Sequence, residues 1–282
     1  VREPDDLLTE ASVTRRLVSL ARGRAGRTAL LADDWPAGLP GGADGCGYDT
    51  FAAVVQAAAA GLSWRGLRPR DAVGVLVPDA VSFAVASHAV RAAGGVPSPV
   101  DPGLCPAEMA GQLAESGARM IITSAGLADL AVAAADRSWV RQVLSFGEAP
   151  GATPFADLLG PDAIAPARGR PDDVALLPFA RAADGRVRPA PVTHRGLLSR
   201  IDELDRQARI GGGDVVVAGP PAGDGLAYAL LVDGALLRGA TVIAVRLADL
   251  AVAAAAARAT VALVPRGARA DLPAGVRAIP VG

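Results

Sequence analysis

The chain of 282 residues contains no lysine and no asparagine, and all 28 of its basic residues are arginine. Both missing residues have A-rich codons, so a GC-rich genome accounts for the gap. The chemical consequence holds whatever the cause: no side chain here can form a Schiff base, clamp a phosphate with an ammonium or steady an acyl adenylate as a lysine does. Aromatic residues make up only 4% of the chain, and the 51% hydrophobic content comes mostly from alanine, valine and leucine, a composition suited to a tightly packed α/β core. The two cysteines, Cys46 and Cys105, have no CxxC or other metal-ligand spacing, so reduced thiols are expected in place of a disulfide or a zinc site. The two histidines, His88 and His194, are too few for a histidine-rich metal centre.

No apolar run approaches the roughly 18 residues of a membrane span. The longest candidates, residues 81–93 and 250–257, are interrupted by His88 and Arg91 or are too short. The first ten residues, VREPDDLLTE, are acidic and hold no apolar secretory core, which makes the cytoplasm the expected compartment. A net charge of -1 gives no electrostatic attraction to nucleic acid or an acidic membrane surface, and neither is expected as a partner.

Apolar spacing alternates between helical and short β-branched runs. Helical spacing covers residues 51–67, 81–93, 106–116 and 127–135; strand-like runs cover 72–77, 96–100, 120–123 and 142–145. Asp79 stands where an N-cap is wanted ahead of the second helix. The alternation resumes with strands at 174–177, 214–218, 240–245, 260–264 and 276–281, and with helices from Thr193 to about Arg209, at 226–237 and at 247–258. Such repetition predicts an α/β fold of two related subdomains, each a mostly parallel sheet flanked by helices. Gly/Pro-rich stretches at 36–47 and 148–171 read as loops, the second with a short helical piece at 154–159. The expected division is a first subdomain at 1–147, a surface connection at 148–172 and a second subdomain at 173–282, cut short at its C-terminal end. Gly211-Gly212-Gly213 precedes a strand instead of following one and reads as a turn. No Walker A lysine, GxSxG elbow or HExxH zinc site occurs.

One segment has the frame of a nucleotide-phosphate loop. In DVALLPFARAADGRVRPAPVTH, residues 173–194, an apolar strand is followed by a loop, and Thr193-His194 then opens a helix. Phosphates bind at such units because loop N–H groups and the helix N-terminus face the anion. This loop offers one glycine, Gly185, no hydroxyl before Thr193, and a proline, Pro189, which has no N–H to give.

In the order and spacing of its segments the chain resembles the N-terminal domain of the adenylate-forming superfamily: acyl-CoA synthetases, coumarate-CoA-type ligases and peptide-synthetase adenylation domains. The resemblance runs from about Val13 to Gly282. It rests on the opening helix, strand and helix of residues 47–123, with Arg70-Asp71 before the strand, Pro78 after it, and Val100-Asp101-Pro102 after the small-residue stretch 92–97. The family's loop reads approximately Y-[ST]-S-G-[ST]-T-G-x-P-K-G-V-x-x-[ST]-H. Laid on it without a gap, Phe179 takes the aromatic position, Gly185 the second glycine, Arg188 the lysine and Thr193-His194 the closing pair. Ala180 and Arg181 replace hydroxyl-bearing positions, Ala182 the first glycine, Ala183 and Asp184 the threonines, Val187 the proline, and Pro189 the last glycine.

The resemblance implies ATP or AMP with magnesium as cofactor and a carboxylic acid or acyl group as ligand. The substitutions act against ATP: Asp184 sets a negative charge beside a triphosphate, Ala182 and Ala183 remove flexibility and a hydroxyl donor, and Pro189 deletes a backbone donor. Arg181 and Arg188 retain the charge to pair with an anion, though in so altered a loop surface arginines are the competing reading. The loop positions Arg181, Asp184, Gly185, Arg188 and Thr193 are therefore the candidate nucleotide-contact set; no catalytic or metal-ligating residue is assigned. Thr193 also reads as a helix cap, His194 as a packing residue and His88 as structural. The family's P-x-F-H landmark has no aromatic or histidine in the corresponding segment 219–226. Its adenine, ribose and magnesium-glutamate motifs and its C-terminal catalytic lysine have no counterpart. The expected function is a divergent, truncated homologue that does not adenylate alone and keeps a binding or scaffolding role. The alternatives are a split ligase completed by a partner chain that supplies the missing portion, and a non-functional gene remnant.

Overall fold

The structure is a computed structural model that describes residues 12–32, 35–42, 45–219, 224–265 and 271–281. The first ten residues, residues 43–44 of the expected 36–47 loop and residues 220–223 of the 219–226 segment lie outside them.

Helix α1 (Val13–Arg22) leads to β1 (Thr28–Leu31), β2 (Gly45–Gly47) and α2 (Tyr48–Trp64). Next come β3 (Ala72–Leu76), α3 (Ala80–Ala92), β4 (Val96–Pro99), α4 (Pro106–Ser116), β5 (Met120–Ser124), α5 (Ala128–Ala135), β6 (Gln142–Phe146) and the short β7 (Thr153–Pro154). Strands β3 to β7 form a parallel sheet in the order β4-β3-β5-β6-β7. Asp79 caps α3 as expected, accepting the Ser82 N–H at 2.7 Å.

Beyond residue 170 the chain forms β8 (Val174–Leu176), β9 (Phe179–Arg181), β10 (Val187–Pro189), β11 (Val192–Thr193) and α6 (His194–Ala208). There follow β12 (Val215–Ala218), α7 (Gly225–Tyr228), a π-helical turn (Ala229–Asp233), α8 (Gly234–Leu237), β13 (Thr241–Ala244), α9 (Leu250–Ala256), β14 (Val261–Pro265) and β15 (Arg277–Val281). The second sheet runs β15-β14-β12-β13-β1-β2, parallel except for the β1–β2 edge. Strands β1 and β2 thus precede the first sheet in sequence yet belong to the second. The expected division at 148–172 separates stretches of chain but not the sheets, because the open edge of β13 takes β1 as its parallel partner. That connection is also not wholly superficial: β7 extends the first sheet, and Phe155 and Leu158 of the turn after it are buried, with Phe155 stacked on Phe146 at 4.3 Å.

Both sheets are covered on both faces, so their strands read as continuous apolar runs. In β3, Val73 and Val75 point into the central core and Ala72 and Leu76 into an outer cluster with α4; in β14, Val261 and Leu263 face the centre and Ala262 and Val264 face α9. The central layer holds α2 and α3, and α3 is buried at every position, its Ala/Val faces along with His88 and Arg91. Against it lie α7 and the π turn from the second sheet. Tyr228 stacks on Phe83 at 5.0 Å and donates its hydroxyl to the Pro78 carbonyl at 3.1 Å. Gly225 sits so close to Pro99 that a Cβ would fall 2.0 Å from a ring carbon.

The same joint carries a buried polar network. The Asp233 carboxylate accepts from Arg91 at 3.0 Å and from His88 Nε2 at 3.2 Å, and Thr14 Oγ1 lies 2.8 Å from His88 Nδ1. A carboxylate only accepts, so His88 carries its proton on Nε2 and its Nδ1 takes the Thr14 hydroxyl proton. Burial pushes the His88 pKa down, against the pull of Asp233. Burial alone would raise Asp233, but the two partners hold its carboxyl below the ordinary value.

Two outcomes test this joint. Asp233→Ala leaves Arg91 buried without its counter-charge and is expected to cost about 3–5 kcal/mol in a urea titration. Gly225→Ala overpacks the contact with Pro99 and is expected to cost about 1–3 kcal/mol, the denaturation midpoint falling accordingly.

Candidate functional site: a closed hairpin at the loop position

The loop expected between residues 180 and 189 is a β-hairpin. Strands β9 and β10 pair antiparallel with Val187 opposite Arg181, Arg188 opposite Ala180 and Pro189 opposite Phe179. The turn is set by Asp184-Gly185, with Gly185 at φ +79, a left-handed conformation that glycine adopts without strain. Asp-Gly between two short extended runs is a strong local hairpin signal, and this is the cue by which sequence reasoning would have recognised the turn. Pro189 is tolerated because this two-stranded ribbon leaves it on an edge.

Four of the five candidate residues meet in this hairpin, and they bind one another. Asp184 accepts the Arg186 N–H at 3.0 Å and pairs with the Arg188 guanidinium at 2.6 Å. Arg181 donates to the Gly185 carbonyl at 2.6 Å. The Gly185 N–H goes to the Ala182 carbonyl and the Ala182 N–H to the Arg186 carbonyl. The fifth candidate is elsewhere. In the β8–β11 ribbon Thr193 stands opposite Val174, whereas Arg188 stands opposite Ala180 beyond the far end of β8, so the returning chain carries Thr193 away from the turn. There Thr193 caps α6, its hydroxyl accepting the Gly196 N–H at 3.0 Å.

His194 opens α6 as a buried residue, its Nδ1 facing the Val13 N–H at 3.4 Å. Burial, reinforced by the charge of Arg91 and opposed by Asp173, lowers its pKa to about 4. Asp233 was not grouped with His88 and Arg91 by sequence reasoning because it lies more than 140 positions beyond their shared helix. The available signal was local: a histidine and an arginine inside an otherwise apolar helix.

Two parallel sheets with helices on both faces, and a strand-turn-helix unit at the loop position, define the class of the N-terminal domain of adenylate-forming ligases. The family model described as AMP-binding enzyme matches residues 20–272, and the chain belongs to that family. A 4-coumarate--CoA ligase-like protein of Oryza sativa subsp. japonica is 31% identical over 225 residues, which are 72% of this chain and 38% of that protein. A 4-coumarate--CoA ligase of Pinus taeda is 31% identical over 156 residues, 52% of this chain and 28% of the relative. Among solved structures, a long-chain-fatty-acid-CoA ligase from Archaeoglobus fulgidus superposes with TM-score 0.80 at 19% identity, covering 90% of this chain and 51% of that one. A benzoate CoA ligase from Burkholderia xenovorans gives 0.77 at 23% identity, covering 94% and 54%. The chain therefore spans about half the length of these solved structures and less of the curated relatives.

The hairpin and His194 each give a measurable expectation. Asp184→Ala removes a half-exposed ion pair and should change global stability by less than about 1 kcal/mol, while the Arg186 amide exchanges faster with solvent. For His194 the folded pKa of about 4 lies below the ordinary 6.5. The unfolded chain thus takes up the proton first as pH falls, and stability is lost from about pH 6.5 down to about pH 4. At 1.36 kcal/mol per pH unit the loss from this residue is about 3 kcal/mol, and His194→Gln should flatten the profile of urea midpoint against pH over that window.

Proposed function

We propose that this chain descends from acyl-adenylate-forming ligases, does not by itself activate a carboxylic acid with ATP, and retains a binding or scaffolding role toward a carboxylic acid or acyl group. The observation that carries this reading is the self-satisfied hairpin. A triphosphate needs free loop N–H groups and an unengaged cation, and here the Asp184 carboxylate occupies both the Arg186 N–H and the Arg188 guanidinium. An incoming phosphate would have to displace a paired carboxylate of its own charge sign. Arg181, the other cation of the loop, is turned onto the Gly185 carbonyl. ATP with magnesium does not fit the hairpin paired in this way.

A split ligase, in which Arg188 stands in for the loop lysine, would need that guanidinium released from Asp184. The lineage itself is supported by the family match and by the relatives, whose names point to aromatic and fatty carboxylic acids as the substrates to try.

The test is ATP–pyrophosphate exchange by the purified chain with coumarate, benzoate and a long-chain fatty acid. No exchange above the enzyme-free background is expected, and calorimetric titration with ATP should give the same absence of binding heat for the native chain and for Arg188→Ala. Exchange with any of the acids would overturn the proposal.

A further inference from the structure

A cleft of about 860 Å³ opens at the N-terminal ends of β3, β4 and β8, where Ala72, Val96 and Val174 lie in its wall. It is large enough for a metabolite-sized ligand, typical sites being roughly 300–1,000 Å³. No residue of the β9–β10 hairpin lines the cleft, although Leu177, two residues ahead of β9, does.

The inner wall of the cleft includes Arg91, whose side chain is only 1% exposed. One of its terminal nitrogens, Nη1, bonds Asp233. Its Nε and Nη2 have no hydrogen-bond partner among the described residues. Those two N–H groups share one edge of the planar guanidinium, the edge that accepts two oxygens of a carboxylate or phosphate in parallel. A buried donor left unmade carries its full desolvation penalty, and here two lie side by side on one edge.

Beside it, His194 accepts at Nδ1 from the Val13 N–H, so the neutral ring carries its proton on Nε2. That nitrogen faces Gly169 in the same cleft, close enough that a Cβ on Gly169 would lie 2.9 Å away. Arg70, Arg168 and Arg170 line the outer part. Two carboxylates also line the cleft, and both have local partners: Asp172 pairs with Arg195 at 3.0 Å, and Asp173 accepts the Arg170 N–H at 2.8 Å and faces Arg70 at 3.4 Å.

We infer that this cleft is an anion-binding site, in which the Nε/Nη2 edge of Arg91 grips the carboxylate or phosphate group of a small molecule and the outer arginines draw it in. The inference stands on the buried guanidinium and the cleft, independently of the ligase-lineage reading above.

The experiment is a titration of the intact chain with inorganic phosphate and, separately, with succinate, at ionic strength held constant with sodium chloride. It is followed by the Arg91 Nε–H resonance in ¹H–¹⁵N NMR spectra. A saturable shift with phosphate or succinate, absent with chloride alone, is expected, and the anion that saturates at the lower concentration identifies the group. The paired substitution Arg168→Ser with Arg170→Ser, at exposed positions, should weaken that binding several-fold and leave the thermal midpoint of the unliganded chain unchanged. Failure of both anions to move the resonance saturably would overturn the inference, water then being what fills the fork. A shift of equal affinity in the doubly substituted chain would remove the outer arginines from it.

Discussion

A buried carboxylate ties the helical segment of the second sheet to the helix beside the first. Asp233, in the π turn of the second sheet's helical segment, takes hydrogen bonds from Arg91 and His88, both on the helix that fills the space beside the first sheet. Charges this deep lose their hydration, and an ion pair offsets that loss only when its geometry is close and its remaining lone pairs are used. The network achieves this for Asp233 by splitting its two oxygens between two donors, and for His88 by engaging its second nitrogen with Thr14. Hydrophobic contact alone would let helices rich in alanine slide over one another; a fixed carboxylate between two donors sets their register. The Tyr228–Phe83 stack and the tight seat of Gly225 on Pro99 lie along the same seam and depend on that register.

At the opposite extreme of exposure, the side chains of the hairpin pair within the hairpin itself. A loop that cradles phosphates holds its N–H groups outward and unpaired. Here the Asp184 carboxylate takes the Arg186 N–H from within the chain. The arginine at the lysine position then has a fixed partner four residues away. The half-exposed pair contributes little stability.

Much of the fold was legible from apolar periodicity. The helices at residues 106–116 and 194–208, and the strands from residue 72 to residue 146, lie within a few residues of where their spacing places them, since burial on one face or both leaves a pattern that local sequence cannot hide. The hairpin was missed because short extended pieces of three residues carry too little periodicity, although Asp184-Gly185 was a visible turn signal. The assignment of β1 and β2 to the second sheet was not visible either: a strand's partner is chosen by which edge is open after the rest has packed, and that depends on residues more than two hundred positions away.

Sequence by itself determined the α/β class, the family, and the capping of α3 by Asp79 and of α6 by Thr193, because each depends on residue type and short-range spacing. Only the tertiary structure decided that four of the five candidate loop residues satisfy one another while Thr193 stands apart, and that Arg91, His88 and Asp233 meet. It alone showed that one edge of Arg91 has no partner among the described residues beside a cleft. Those facts depend on which donors and acceptors are brought within about 3 Å of each other, a distance that chain order does not encode until the sheets and helices have packed.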